Sequence, residues 1–125
     1  KKLALLSFAC TAIVVSCINK DYKEYEGTWN GTYSGEDFGD WNMDIDEEGN
    51  IDGTARSDSF SAFPISIEGT VSKHGDLDVE ASSSFFDITF IGELNNEKGN
   101  GSWRSYSDSS GTVISISGAW TGKKD

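Results

Sequence analysis

From residue 26 to residue 122, apolar side chains recur at every second position, and no stretch repeats them at the spacing of a helix. Such alternation separates an apolar face from a polar face only in an extended chain, because successive strand side chains point to opposite sides. Gly, Ser, Thr and β-branched residues dominate the stretch, and Pro64 is the only proline. We therefore predict an all-β domain.

The alternation divides into eight segments, which begin about every 12 residues and are separated by turn residues. The predicted strands are residues 27–33, 40–46, 50–56, 65–71, 77–81, 86–94, 99–103 and 114–120. Short, regularly spaced strands without crossover helices favour an antiparallel meander. Such a sheet, with one apolar face and no helix to cover it, buries that face by curling into a small closed barrel. A two-sheet sandwich of the same strands is the alternative.

Glycines on the apolar phase of the strands support curling. Glycine weakens a flat strand but permits tight bends and close packing beneath an aromatic ring. The six positions are Gly31, Gly53, Gly69, Gly92, Gly101 and Gly118.

The first predicted strand begins with Gly27-Thr28-Trp29. A Gly-x-Trp at the start of an eight-stranded meander resembles the calycin superfamily of lipocalins, fatty-acid-binding proteins and avidins. It also resembles the small calycin-like lipoprotein domains of Bacteroidetes. The resemblance implies a small barrel, and it is consistent with a ligand bound at the barrel mouth.

The first 17 residues have the parts of a secretory signal peptide: Lys1 and Lys2, an apolar middle, and the small residue Ser16 before Cys17. Residues 14–17 resemble the bacterial lipobox, in which the cysteine becomes the lipidated first residue of the mature chain. A signal peptide without lipidation and a membrane-spanning helix are the alternatives, but the apolar stretch falls short of the roughly 20 residues that a span requires.

We accordingly expect a signal peptide at residues 1–16, a lipid-anchored polar tether at 17–25 and a β-barrel domain at 26–125. Ile18, rather than Asp, follows the lipidated cysteine. By analogy with enterobacterial sorting, this favours the outer membrane, on either its periplasmic or its cell-surface side. The membrane, reached through lipid on Cys17, is then one partner.

The net charge of −11 repels nucleic-acid phosphates, so no nucleic-acid partner is expected. Only two cysteines are present, and Cys10 would leave with the signal peptide. A lipidated Cys17 would then leave no thiol for a disulfide, a metal site or a nucleophile.

Residues 44–52 place acids at positions 1, 3, 5 and 9 of an EF-hand-like loop, with Gly49 at position 6. Ala55 stands where the bidentate acid belongs, and both flanks alternate like strands. We therefore predict a hairpin with its turn at residues 46–50, and no metal site.

His74 is the single histidine and lies in a predicted turn, between Lys73 and Gly75. No second histidine can share a metal with it, and no Gly-x-Ser-x-Gly elbow accompanies it. A Ser-His-Asp triad is not excluded by composition, but no catalytic residue or cofactor is predicted, and the protein is expected not to be an enzyme.

Large aromatic residues are the candidate ligand-binding set. In a small eight-stranded barrel, inward rings either fill the core or line a cavity for one small ligand, and the sequence leaves both open. The first alternative suits a scaffold for an envelope protein partner, and the second suits a site for a small apolar or amphipathic ligand. The candidates are Trp29, Tyr33, Trp41, Phe60, Phe63, Phe86, Phe90, Trp103 and Trp120, with Phe60 and Phe63 in the longest connection.

Overall fold

A computed structural model describes residues 21–59, 64–82, 87–109 and 111–125. Its strands are β1 (Gly27–Gly35), β2 (Gly39–Ile45), β3 (Asn50–Ser57), β4 (Ile65–Val71), β5 (Asp76–Ser82), β6 (Asp87–Asn95), β7 (Lys98–Ser109) and β8 (Thr112–Lys124). Each strand pairs antiparallel with the next, and β8 pairs with β1. The all-β meander closing into a barrel is confirmed, and the two-sheet sandwich is excluded.

The apolar phase read from the sequence is the phase that points into the barrel. Burial alternates along β2 without a break, so that Trp41, Met43 and Ile45 are buried while their neighbours are exposed. The same alternation on the other strands gives one continuous core. In the described ranges, no helix is long and apolar enough to cross a membrane.

Two strands are much longer than the sequence predicts. β7 has 12 residues and β8 has 13, whereas the other strands have seven to nine. β6 pairs with β7 only as far as Tyr106, and β1 pairs with β8 only as far as Gly118. Among the described residues, 107–109 and 112–117 therefore continue past the ends of β6 and β1 as a two-stranded ribbon, which we call the arm. Since neither of its faces is fully buried, the arm needs no apolar alternation, and the sequence pattern did not reveal its length.

The two ends of the barrel differ. At one end, the chain before β1 makes a tight turn in which the N–H groups of Tyr25 and Glu26 donate to the carbonyl of Tyr22. Tyr25 is only 2% exposed and belongs to the core. We call this the closed end. Residues 21–25, which the sequence analysis assigned to the tether, thus pack on the barrel. The rings of Tyr22 and Tyr25 bury apolar surface there, and a segment without periodicity gives no means of predicting that burial.

Close approach of a ring to the backbone explains several of the inward glycines. A side chain at Gly31 or at Gly122 would put its Cβ 2.3 Å from the Trp41 ring. A Cβ at Gly101 would lie 2.6 Å from the Trp120 indole nitrogen. The prediction that glycine admits tight packing beneath aromatic rings is confirmed at Gly31 and Gly101, and Gly122 is a further position of this kind.

Candidate functional site

The described aromatic candidates all lie in the barrel interior, at different depths. Trp29 is fully buried next to the closed end, where its indole N–H donates to the carbonyl of Tyr25 at 2.7 Å. Trp41 and Trp120 meet edge to face in the middle, with centroids 5.7 Å apart. Tyr33 makes edge-on contacts with Phe90 and Trp103. Phe60, Phe63 and Phe86 lie outside the described residues.

Among the described residues, the rings leave little free space inside the barrel. The internal cavity measures about 10 Å³. Its lining is wholly hydrophobic and consists of Trp41, Met43, Ile67, Leu77, Val79, Phe90 and Trp120. That volume is comparable to the space needed for a single water molecule, whereas ligand pockets measure about 300–1,000 Å³. Of the two alternatives left open by the sequence, the described residues favour the filled core.

One buried donor in this core is unsatisfied. The indole N–H groups of Trp103 and Trp120 donate to the carbonyls of Ser34 and Ile91, each at 2.9 Å. Among the described residues, the N–H of Trp41 meets no acceptor. An unpaired buried donor costs about 1–3 kcal/mol, so the Trp41 indole carries a local penalty in the middle of the barrel.

The end of the barrel opposite the closed end is the mouth. Here the described inward side chains change from buried to half-buried, on strands spread around this end of the barrel. Ile65 of β4, Ile88 of β6 and Ile116 of β8 pack against the core but keep part of their surface in solvent. They form an apolar rim above a filled interior.

A polar cluster lies at the same end, where β1, β2 and β3 meet. Asp37, in the β1–β2 connection, is only 7% exposed. Its carboxylate accepts hydrogen bonds from the Tyr33 hydroxyl at 3.1 Å and from the Ser57 hydroxyl at 2.9 Å. The ion pair recorded in the described ranges joins Arg56 to Asp40 instead, at 3.9 Å on the outer surface. The Asp37 charge is therefore held by hydroxyl groups.

Two neighbours constrain the Tyr33 side chain: Gly39, which packs closely against its hydroxyl, and the Asp37 carboxylate. Gly39 is opposite Tyr33 in the register, and a Cβ there would lie 2.9 Å from the Tyr33 oxygen and still closer to the carbonyl of Arg56. Burial first, and then the neighbouring Asp37 carboxylate, raise the pKa of Tyr33 far above its ordinary value of 10.0. The phenol thus stays protonated and remains a hydrogen-bond donor.

The acidic loop forms the predicted hairpin. β2 ends at Ile45 and β3 begins at Asn50, with Asp44 directly opposite Asp52. The Asp46 carboxylate accepts the backbone N–H groups of Asn50 and Glu48, and these bonds lower its pKa. In the part of the chain that the structure describes, no three His, Cys, Asp or Glu side chains converge as a metal site. His74 lies exposed in the β4–β5 turn.

The register reveals a row of like charges on the outside of the barrel. Asp44 of β2 is opposite Asp52 of β3, Asp52 is opposite Glu68 of β4, and Glu68 is opposite Glu80 of β5. We call these four side chains the acidic row. All four are exposed, and the row spans four neighbouring strands. Adjacent like charges in this position repel, so the row weakens the sheet locally.

A shallow groove of about 490 Å³ lies elsewhere on the outer surface, over β6, β7 and β8. Thr89, Ser102, Arg104 and Ser117 line it together with Ile91, whose side chain is 51% exposed. It is far roomier than the internal cavity.

The architecture is similar to that of several solved structures. A bradavidin2–biotin complex superposes with a TM-score of 0.58 over 76% of this chain and 95% of that one, at 16% sequence identity. Rhizavidin superposes with a TM-score of 0.63 over 86% of this chain and 89% of that one, at 14% identity. The fold is that of the avidin-like barrels. No protein-family model matches the chain, and no curated protein matches it either.

Avidin-like proteins are among the calycins, so the resemblance to that superfamily is supported at the level of fold. Another rhizavidin structure, also a biotin complex, covers 80% of this chain at 15% identity. At such identities the superposition transfers no binding residue.

Sequence reasoning missed the polar cluster at the mouth. Asp37 is one of many acids in an acidic chain and lies in a short connection between Glu36 and Phe38. Its burial depends on β1, β2 and β3 meeting in one register, and no local pattern encodes that meeting. The inward positions of the aromatic residues could be predicted because they follow from the alternation within a single strand.

Proposed function

We propose that this protein is a non-enzymatic envelope lipoprotein, anchored through lipid on Cys17, that binds a small amphipathic ligand at the mouth of its barrel. The observation that carries the proposal is that the mouth has both an apolar part and a polar part. Half-buried isoleucines stand on β4, β6 and β8, and a buried carboxylate stands with two hydroxyls between β1 and β3. The first can cover an apolar group, and the second can bind a polar one.

The filled interior limits where a ligand can lie. With a cavity of only about 10 Å³, a ligand of ordinary size rests on the rim, and deep insertion would require Trp41, Phe90 or Trp120 to move. The aromatic residues of the middle layer then act as the floor of the site. Tyr33 and Trp103, which lie nearer the mouth, are the ring candidates best placed for contact.

The polar cluster indicates the chemistry of the ligand. A carboxylate has about four acceptor positions, and among the described residues Asp37 uses two of them, for Tyr33 and Ser57. The remaining capacity suits a ligand with N–H donors, such as an amine, a guanidinium or a urea group. Biotin carries a urea group and an apolar chain, and it is bound in two of the similar structures, so it is the first probe to use.

Calorimetric titration with biotin, followed by a panel of amphipathic amines, tests the proposal. Native mass spectrometry of the protein purified from its own envelope would reveal a retained ligand directly. Ile88→Glu, which puts a charge on the rim, is expected to abolish binding. Ile91→Glu is the matched control, since Ile91 lies on the outer face of the same strand. Binding that survives Ile88→Glu, or is lost equally in both variants, would contradict a site at the mouth.

A second function is favoured by the filled core together with the outer groove: an interaction protein that uses the barrel only as a scaffold. Its partner would be another envelope protein, possessing a surface that fits the groove over β6–β8. Native mass spectrometry separates the two proposals, because one predicts a retained small molecule and the other a retained protein.

The lipid anchor is tested independently. Cys17→Ser is expected to leave the chain without acyl chains and to move it from the detergent phase to the aqueous phase on phase partitioning. Partitioning equal to that of the wild type would contradict lipidation at Cys17.

A further inference from the structure

The arm carries an open sheet edge on an otherwise closed barrel. β7 covers one side of β8 along its whole length, but β1 stops pairing with β8 at Gly118. The next residue, Ser117, is still covered, because its carbonyl accepts the N–H of Glu36 and its N–H donates to the Glu36 carboxylate. Beyond it, residues 112–116 have no partner on that side among the described residues.

Period-two geometry shows which backbone groups are free. The N–H and carbonyl of Ser117 both face the β1 side. Groups two and four residues away along a strand face the same side, so those of Ser115 and Val113 also point outward from this edge. Unpaired edge groups of this kind are a template for pairing with another strand.

The composition of the edge suits a second copy of the same chain. Val113 and Ile114 are 55% and 57% exposed, although both are β-branched residues that favour strands. Residues 109–122 contain no charged side chain, in a chain with a net charge of −11. Two copies that meet here bring no carboxylates of this stretch face to face, whereas most of the remaining surface repels its own copy.

We propose that two copies of the chain pair antiparallel through this edge, with the two-fold axis at Ile114. In that register Val113 is opposite Ser115 of the second copy, and Ser115 is opposite its Val113. The free N–H and carbonyl groups then form four backbone hydrogen bonds. Ile114 meets its own copy across the axis, so an apolar pair lies at the centre. A two-fold arrangement closes at two subunits and leaves no free edge.

The pairing is short, because Glu36 occupies the edge at Ser117 and the arm ends near Gly111. It buries far less than the roughly 1,200 Å² typical of stable interfaces, so the dimer is weak in dilute solution. The backbone groups that pair belong to Val113 and Ser115, which are not part of the ligand rim, although Ile116 of the rim is the next residue along β8. Ligand titration and the dimer tests below therefore probe different residues.

Disulfide trapping in the full-length chain tests the register. Residues that face each other at a non-hydrogen-bonded antiparallel position have Cα atoms about 4.5 Å apart, within the range a disulfide bridges. Under mild oxidation, Ile114→Cys should give at least about tenfold more covalent dimer than the parent chain, which supplies the background from Cys10 and Cys17. Ser115→Cys should stay near that background. Equal trapping of both variants, or of neither, would overturn the proposal.

Sedimentation as a function of protein concentration gives a second test without added thiols. Ser115→Pro removes an outward N–H while the β7–β8 hydrogen bonds, made by the alternate residues, remain. The parent chain should shift towards dimer with rising concentration, and the proline variant should remain monomeric with an unchanged circular dichroism spectrum. Ser115→Thr, which keeps the N–H, should behave as the parent. Concentration dependence that persists in Ser115→Pro would contradict edge pairing.

Discussion

Reversing one charge in the acidic row should stabilise the barrel. Glu68 lies on β4 between Asp52 and Glu80, and each of these carboxylates is directly opposite it across a strand pair. Glu68→Lys would turn two repulsions into two attractions, while Glu68→Gln would only remove them. The side chain is exposed, so neither change should disturb the core.

The expected magnitude follows from the register. Opposed cross-strand Cβ atoms lie about 5 Å apart, so we take the carboxylates to be roughly 6 Å apart. In water two unit charges at that distance repel by about 0.7 kcal/mol. Physiological salt, with a Debye length of about 8 Å, removes about half of this. With two neighbours, Glu68→Gln should raise the free energy of unfolding by about 0.7 kcal/mol and Glu68→Lys by about 1.4 kcal/mol.

Urea melts at low salt and in 1 M NaCl measure both variants, and Glu97→Lys in the β6–β7 turn is the control for net charge alone. The gain from Glu68→Lys should shrink strongly in high salt, where the Debye length is only about 3 Å. A gain no larger than that of Glu97→Lys, or one that salt leaves unchanged, would refute the explanation by cross-strand repulsion.

Three further outcomes are expected. Trp29→Ala should lower the free energy of unfolding by about 3–5 kcal/mol in urea melts, since it empties a fully buried site; a loss below about 1 kcal/mol would contradict that burial. Because the pKa of Tyr33 is raised only in the folded chain, the unfolded chain loses its proton first, and stability should fall as the pH rises above about 10; Tyr33→Phe should flatten this slope. Calorimetry should detect no calcium binding tighter than about 0.1 mM, and saturable binding abolished by Asp44→Asn with Asp46→Asn would contradict the hairpin.

The sequence predicts all eight strands, because a barrel with one buried face requires an apolar or small residue at every second position. It predicts the inward glycines for the same reason, because Gly31 and Gly101 occupy inward-facing strand positions, as the neighbouring rings do. The arm escapes this rule, since its faces are partly exposed and burial does not constrain them. The turn that buries Tyr25 escapes it too, because one turn is too short to show a period.

The candidate site is predicted only in part. The inward position of Trp41 and Trp120 follows from strand phase, but whether rings fill a barrel or line a cavity depends on how they interlock, which no periodicity records. Asp37 and the acidic row depend on register between strands distant in sequence. The environment of a carboxylate cannot be predicted from its place in the sequence until its cross-strand neighbours are known.

If Cys17 carries lipid, as we propose, the position of the closed end sets the orientation of the molecule on the membrane. The chain enters β1 from that end, and only residues 18–20 separate Cys17 from the described chain at Asp21. Four residue steps reach at most about 14 Å, so lipid on Cys17 would hold the closed end near the headgroups and direct the mouth and the arm away from the bilayer. Antiparallel pairing of two arms turns the two barrels mouth to mouth, with their lipids at opposite extremes. Such a pair cannot stand in one leaflet, so it would join chains on two facing membranes, and vesicles that carry the protein should cluster while those carrying Ser115→Pro should not.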